Sequence, residues 1–173
     1  MDKINIFTAT TIKGPSKQEA VGHFIIELIH DGVSHTYPPP GKDTFIYRES
    51  TTATSLTIEL FVNALYILPY ILKKTSEVES ITCWMDITAQ GPFCNRWFDK
   101  WQQDGWITAK GEPVKDQEKW QQLIESMEKV SKRFIFTADH NSYRDLMQFQ
   151  AKQELEKRKT LDFIHEKRKA AGL

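Results

Sequence analysis

An apolar segment that stops on a single carboxylate limits this chain more than any other feature. Ile81 to Met85 has the length and composition of a short strand, and Asp86 ends it. Four tryptophans come after it, Trp97, Trp101, Trp106 and Trp120. Phe93, Trp97 and Trp101 recur at helical spacing, which predicts a helix over Pro92 to Gln103. Gly105 ends it, because glycine adopts the left-handed terminal conformation without a Cβ penalty. Pro113 and Asp116 open the next helix, whose apolar face is Trp120, Leu123, Ile124, Met127 and Val130. Phe134 to Thr137 then reads as a strand.

Ahead of this stretch the pattern has period two. Ile4, Ile6 and Thr8 alternate in Lys3 to Thr10, and Val21 to Ile29 follows as a second strand. Asp31-Gly32 is a hairpin turn that folds Val33 to Tyr37 back as a third strand. Pro38 to Gly41 ends it in a stiff connection, since proline offers no ladder donor. Thr44 to Ser50 reads as loop or a short edge strand. Thr51, Thr52 and Thr54 offer capping hydroxyls to a helix whose face is Leu56, Leu60, Ala64, Ile67, Leu68 and Ile71, with Pro69 loosening its last turn. A final long helix spans Tyr143 to Ala170. The expected architecture is α/β: one mixed five-stranded sheet flanked by helices, in a single domain over residues 1–173. Its C-terminal part, residues 152–173, is a charged helical extension with seven basic and four acidic residues between Lys152 and Lys169. That pattern fits a solvated face better than a nucleic-acid arm.

Charge excludes a simple electrostatic function. The 23 basic and 23 acidic residues cancel, so any attraction to nucleic acid must be local. The two cysteines, Cys83 and Cys94, lack metal-ligand spacing and are expected as buried, reduced thiols. MDKINIF turns polar at once, which argues against secretion and for a cytoplasmic location. Leu56 to Leu72 is interrupted by Thr57, Glu59, Asn63 and Pro69, so no membrane span is expected.

The order of elements, with the residues at its joints, resembles the type 1 ribonuclease H family. KINIFTAT is similar to the first strand of that family. TTATSLTIEL, with two extra residues, is similar to its threonine-capped first helix with an inward glutamate. The densest likeness is the strand ending in aspartate, the W-x-x-x-W helix, the G-W pair, the K-x-x-P-V segment and the helix with an early tryptophan. The resemblance implies a ribonuclease H-like fold. It also implies metal-dependent cleavage of RNA in RNA–DNA hybrids, by two Mg2+ or Mn2+ ions about 4 Å apart that activate water and stabilise the leaving oxygen. Such ions take hard oxygen ligands, hence a carboxylate cluster.

Carried over residue by residue, the family's first-helix glutamate falls on Glu59, its strand-end aspartate on Asp86 and its loop histidine on His140. Glu59 and Asp86 are the expected residual metal ligands. The first-strand carboxylate falls on Ala9 and the last-helix carboxylate on Gln150, so two of four anionic ligands are absent. The resemblance also implies a nucleic-acid interface at Thr51 and Thr52, with hydroxyls near a helix start, and at Trp97, Trp101 and Trp106, on the segment that grips the DNA strand. Between Arg96 and Trp120, however, five basic residues face five acidic ones, and a neutral handle gains little from counterion release. Helical spacing alone makes Trp97 and Trp120 core residues.

The expected function is a ribonuclease H-like protein with a degraded two-metal site, which binds nucleic acid or a protein without ordinary hybrid cleavage. Its partner would be an RNA–DNA hybrid, another duplex or a protein. One alternative is an active endoribonuclease rebuilt on Glu59, Asp86 and one of Asp139, Asp145 or Glu154. Another is a protein-interaction scaffold.

Overall fold

In the computed structural model, which describes residues 1–37, 44–75, 77–86 and 89–173, the alternating N-terminal segment forms two long antiparallel strands. These are β1 (Lys3–Thr10) and β2 (Gln18–His30), with Lys3 opposite Ile29, Ala9 opposite His23 and Thr10 opposite Gly22. Asp31 and Gly32 both take positive φ, +50° and +76°, which gives the tight turn into β3 (Val33–Tyr37). The sheet has six strands, not five. Phe45–Thr51 is a full strand, β4, paired to β2 over Gln18 to His23, while β3 pairs over Ile26 to His30. β3 and β4 therefore line up along one edge of β2. The expected connection at Pro38 to Gly41 lies outside the described residues.

Thr52 caps α1 (Ala53–Leu72) by accepting a hydrogen bond from the Ser55 amide at 3.2 Å. Then come β5 (Ser80–Trp84), α2 (Gln90–Cys94), α3 (Trp97–Gln103), α4 (Gln117–Val130), β6 (Arg133–Thr137) and α5 (Arg144–Ala170). β5 runs parallel to both β1 and β6, so the path is β3-β2-β1-β5-β6. The mixed sheet is flanked by helices, α1 on one face and α5 on the other.

The two faces differ because the strands alternate. Ile4, Ile6, Phe24, Ile26, Ile81 and Cys83 point toward α1 and join Leu56, Leu60, Phe61, Phe93, Phe98 and Trp120 in one apolar core. Helix α1 approaches so closely that a Cβ on Gly22 would lie 2.9 Å from Leu60 Cδ1 and would have to displace that side chain. An 18-residue window of α1 reaches a mean hydropathy of 1.6, so its apolarity alone does not exclude a span, contrary to the expectation from its interruptions. Most of its apolar side chains are buried in this core, while Tyr66 and Tyr70 stay exposed.

The expected helix over Pro92 to Gln103 is broken in two. Arg96 takes φ +50°, and its guanidinium lies over Phe98 and Phe136 and donates to the Phe134 carbonyl at 3.3 Å. Those contacts hold the backbone in the left-handed region that ends α2 and starts α3. Cys83 is buried, and burial pushes its thiol up; Cys94 is exposed, unlike the expected buried thiol. Helix α5 covers β1 and β2 with Met147 and Ala151, then runs on with every residue from Lys159 exposed.

Candidate functional site

Alternation puts Phe7 and Ala9 of β1, His23 and Glu27 of β2 and Trp84 of β5 on the face that α5 covers. Asp86, two residues past Trp84, follows the same parity and ends at the rim of that face. It is 8% exposed, and both carboxylate oxygens are engaged. Oδ2 accepts from the Thr10 amide at 3.3 Å, and Oδ1 from Gln148 Nε2 at 2.9 Å. Arg144 Nε lies 3.4 Å from Oδ1. Burial raises the Asp86 carboxyl above its ordinary range, opposed in turn by the Thr10 amide, the Arg144 charge and the Gln148 amide. Arg144 and Gln148 stand one helical turn apart on α5, which is why both reach one residue.

The two positions without carboxylates meet at a histidine that sequence reasoning did not single out. Ala9 is the cross-strand neighbour of His23, and Gln150 Oε1 lies 3.2 Å from His23 Nε2. Thr44 Oγ1 lies 2.6 Å from His23 Nδ1, and the imidazole stacks on Phe45 at 4.5 Å. A third polar group lies further along the face. Glu27 accepts from Asn5 at 3.0 Å, Ser34 at 2.8 Å and Tyr143 at 2.7 Å, while Trp84 Nε1 donates to Asn5 Oδ1 at 3.1 Å. The signal for His23 was present in the hairpin: once β1 and β2 pair, the residue opposite Ala9 follows from the register. Arg144 and Gln148 had a weaker one, i and i+4 at the start of the helix that carries Gln150.

Glu59, the other expected metal ligand, is engaged by two cations rather than by any group that touches Asp86 among the described residues. Glu59 Oε1 accepts from Arg48 Nη2 at 2.7 Å and Nε at 3.1 Å, and Lys119 Nζ stands 3.6 Å from Oε2. These partners are on β4 and α4, on the flank of α1. Thr57, two residues earlier and about 200° around the helix, is buried at 2% exposed. His140 is exposed on the loop before α5 and makes no hydrogen bond or ion pair among the described residues. Asp139 and Asp145 are exposed, and Glu154 pairs with Arg158 at 3.2 Å.

Among the described residues no three His, Cys, Asp or Glu side chains converge as metal ligands. Among the described residues Asp86 is met by amide and guanidinium donors, not by further oxygens, and these residues do not fit a two-ion carboxylate centre. The expected nucleic-acid residues also divide. Thr52 is spent on capping α1, and Thr51 is buried and donates to the Thr52 carbonyl at 3.4 Å. Trp106 is buried with φ +65°, and Trp120 is buried against Phe98. Trp97 is 46% exposed, although its spacing predicted core, and it meets Trp101 edge-on at 6.1 Å. A groove of about 620 Å³ opens elsewhere, lined by Cys94, Arg96 and Phe134 to Phe136, and includes none of Ala9, Asp86 or Gln150.

No family model matches the chain. Ribonuclease H of Clostridium botulinum is 28% identical over 142 residues, covering 82% of this chain and 86% of that protein. Ribonuclease H of Acetivibrio thermocellus is 26% identical over 161 residues, covering 91% and 97%. Ribonuclease H of Thermus thermophilus is 35% identical over a shorter stretch of 51 residues, 30% of this chain and 31% of that one. Among solved structures, a type 1 RNase H with the type 2 active-site motif superposes with a TM-score of 0.59 at 12% identity, over 88% of this chain and 70% of the other. The foamy viral protease-reverse transcriptase in complex with an RNA/DNA hybrid gives 0.53 at 17% identity, over 89% of this chain and 20% of the other.

Proposed function

We propose, from the premise that this chain is a relative of the type 1 ribonucleases H, that it binds RNA–DNA hybrid or a related duplex without ordinary hydrolysis. One observation carries the reading: Asp86 has both oxygens engaged by Thr10, Gln148 and Arg144, with no second carboxylate beside it among the described residues. Hydrolysis by two ions needs several anionic oxygens that share the metals. Here the first-strand position is Ala9, the last-helix position is Gln150 held by His23, and Glu59 is paired on the other flank of α1. What remains is a scaffold of the shape that hybrid-binding neighbours use, with Trp97 exposed and Arg144 at the start of α5.

The test is a labelled RNA–DNA hybrid incubated with the full chain in Mg2+ and, separately, in Mn2+. We expect a gel-shift complex that weakens with salt, and no cleavage above the buffer control. Turnover abolished by Asp86→Asn would overturn the reading, and so would the absence of any complex at low salt.

A further inference from the structure

Asp86 has kept its place but not its surroundings, and the group that now faces it is a cation supplied by the chain itself. Arg144 Nε stands 3.4 Å from Asp86 Oδ1, with the Asp86 side chain 10% and the Arg144 side chain 23% exposed. The pair is thus largely shielded from water, where a unit charge acts over short distances far more strongly than at the surface. Gln148 turns its amide nitrogen, not its oxygen, toward the carboxylate, and Thr10 presents its backbone N–H. Among the described residues, every polar group that touches the Asp86 carboxylate is therefore a donor. A divalent ion would need oxygens in that shell, and a guanidinium of like charge already stands 3.4 Å from Oδ1.

The placement of Arg144 is built in. The preceding residue, Tyr143, donates its hydroxyl to Glu27 Oε2 at 2.7 Å and packs on Phe7 with ring centres 4.6 Å apart. Met147 is fully buried on the same side of α5. Together they fix the start of α5 on the sheet, so that Arg144 and Gln148 both land on Asp86. The second flank is closed in the same way: Gln150 Oε1, the oxygen that could have served an ion, is 3.2 Å from His23 Nε2.

We propose that Arg144 is the resident cation of this site, excluding divalent ions from Asp86 and turning the retained carboxylate into a counterion that docks α5. This deepens the reading of the site given above, but its test uses the protein alone, so a failure to bind hybrid bears on that reading and not on this one. The probe is Mn2+, titrated into the full chain without nucleic acid and followed by the loss of the free-ion electron paramagnetic resonance signal. The wild type should show no saturable binding that Asp86→Asn removes. Ala9→Asp restores a second carboxylate while Arg144 still blocks the centre. Ala9→Asp combined with Arg144→Ala should bind Mn2+ on the order of tenfold more tightly than Ala9→Asp alone, because a like charge has been removed. Ala9→Asp combined with Arg144→Lys keeps the charge and should behave as Ala9→Asp alone. If alanine at position 144 unfolds the chain, Arg144→Gln keeps a polar head of similar reach and replaces it. Saturable Mn2+ binding by the wild type that depends on Asp86 would overturn the proposal. So would equal affinity of Ala9→Asp with and without Arg144.

Discussion

The two faces of the sheet are built on opposite principles. The α1 face is a closed apolar core in which Phe61, Phe93, Phe98, Trp120 and Phe136 meet ring to ring. The α5 face has a smaller apolar patch, Phe7, Ala9 and Met147 with Ile25, Trp84 and Tyr143 packed against them, set among three hydrogen-bonded groups centred on Asp86, His23 and Glu27. Nonpolar contact is undirected and grows with area, whereas hydrogen bonds fix particular atoms and leave little net energy each. The first face therefore holds the fold, and the second decides which side chains stand where.

That contrast can be broken most forcefully on the apolar side. Phe61→Ala removes a ring that is 1% exposed and should cost about 3–5 kcal/mol, read as a fall in the urea midpoint with little change in slope. Gly22→Ala should cost about 1–3 kcal/mol in the same measurement, since the added methyl must push Leu60 and Leu56 aside. Tyr143→Phe tests the polar side. It removes one of three donors to Glu27 and should cost only about 1 kcal/mol, because Asn5 and Ser34 still serve the carboxylate. A loss as large as that of Phe61→Ala would mean that the two faces do not divide the work as described.

The smallest effect is a slope with pH. The Asp86 carboxyl lies above its ordinary value of 3.8 in the folded chain, chiefly through burial. The folded protein thus holds that proton longer than the unfolded chain does. The resulting stabilisation is complete below pH 3.8 and is lost as pH rises through the raised value. Asparagine does not titrate, so the stability of the wild type relative to Asp86→Asn should fall with rising pH across that window. A rise would show that the Arg144 charge outweighs burial.

The α1 face was largely readable from the sequence, because its residues obey a period. Leu56, Leu60, Ala64 and Leu68 on a helix and Ile4 and Ile6 on a strand identify a buried side without knowledge of their partners. The strand Phe45–Thr51 was harder to see, since IYREST lacks apolar alternation; it is held by its ladder to β2. The α5 face was readable in part. Asp86, Ala9 and Gln150 do gather at one end of it, but their actual partners, Arg144, Gln148 and His23, have no shared period or motif. Glu59 shows the limit most plainly. An offset of two residues on a helix turns a side chain by about 200°, and a likeness that tolerates insertions does not fix direction.

The outer edge of β2 is shared between β3 and β4, each with its own stretch of ladder. That edge is therefore hydrogen-bonded over Gln18 to His23 and again over Ile26 to His30, which leaves little of it free to template pairing with another chain.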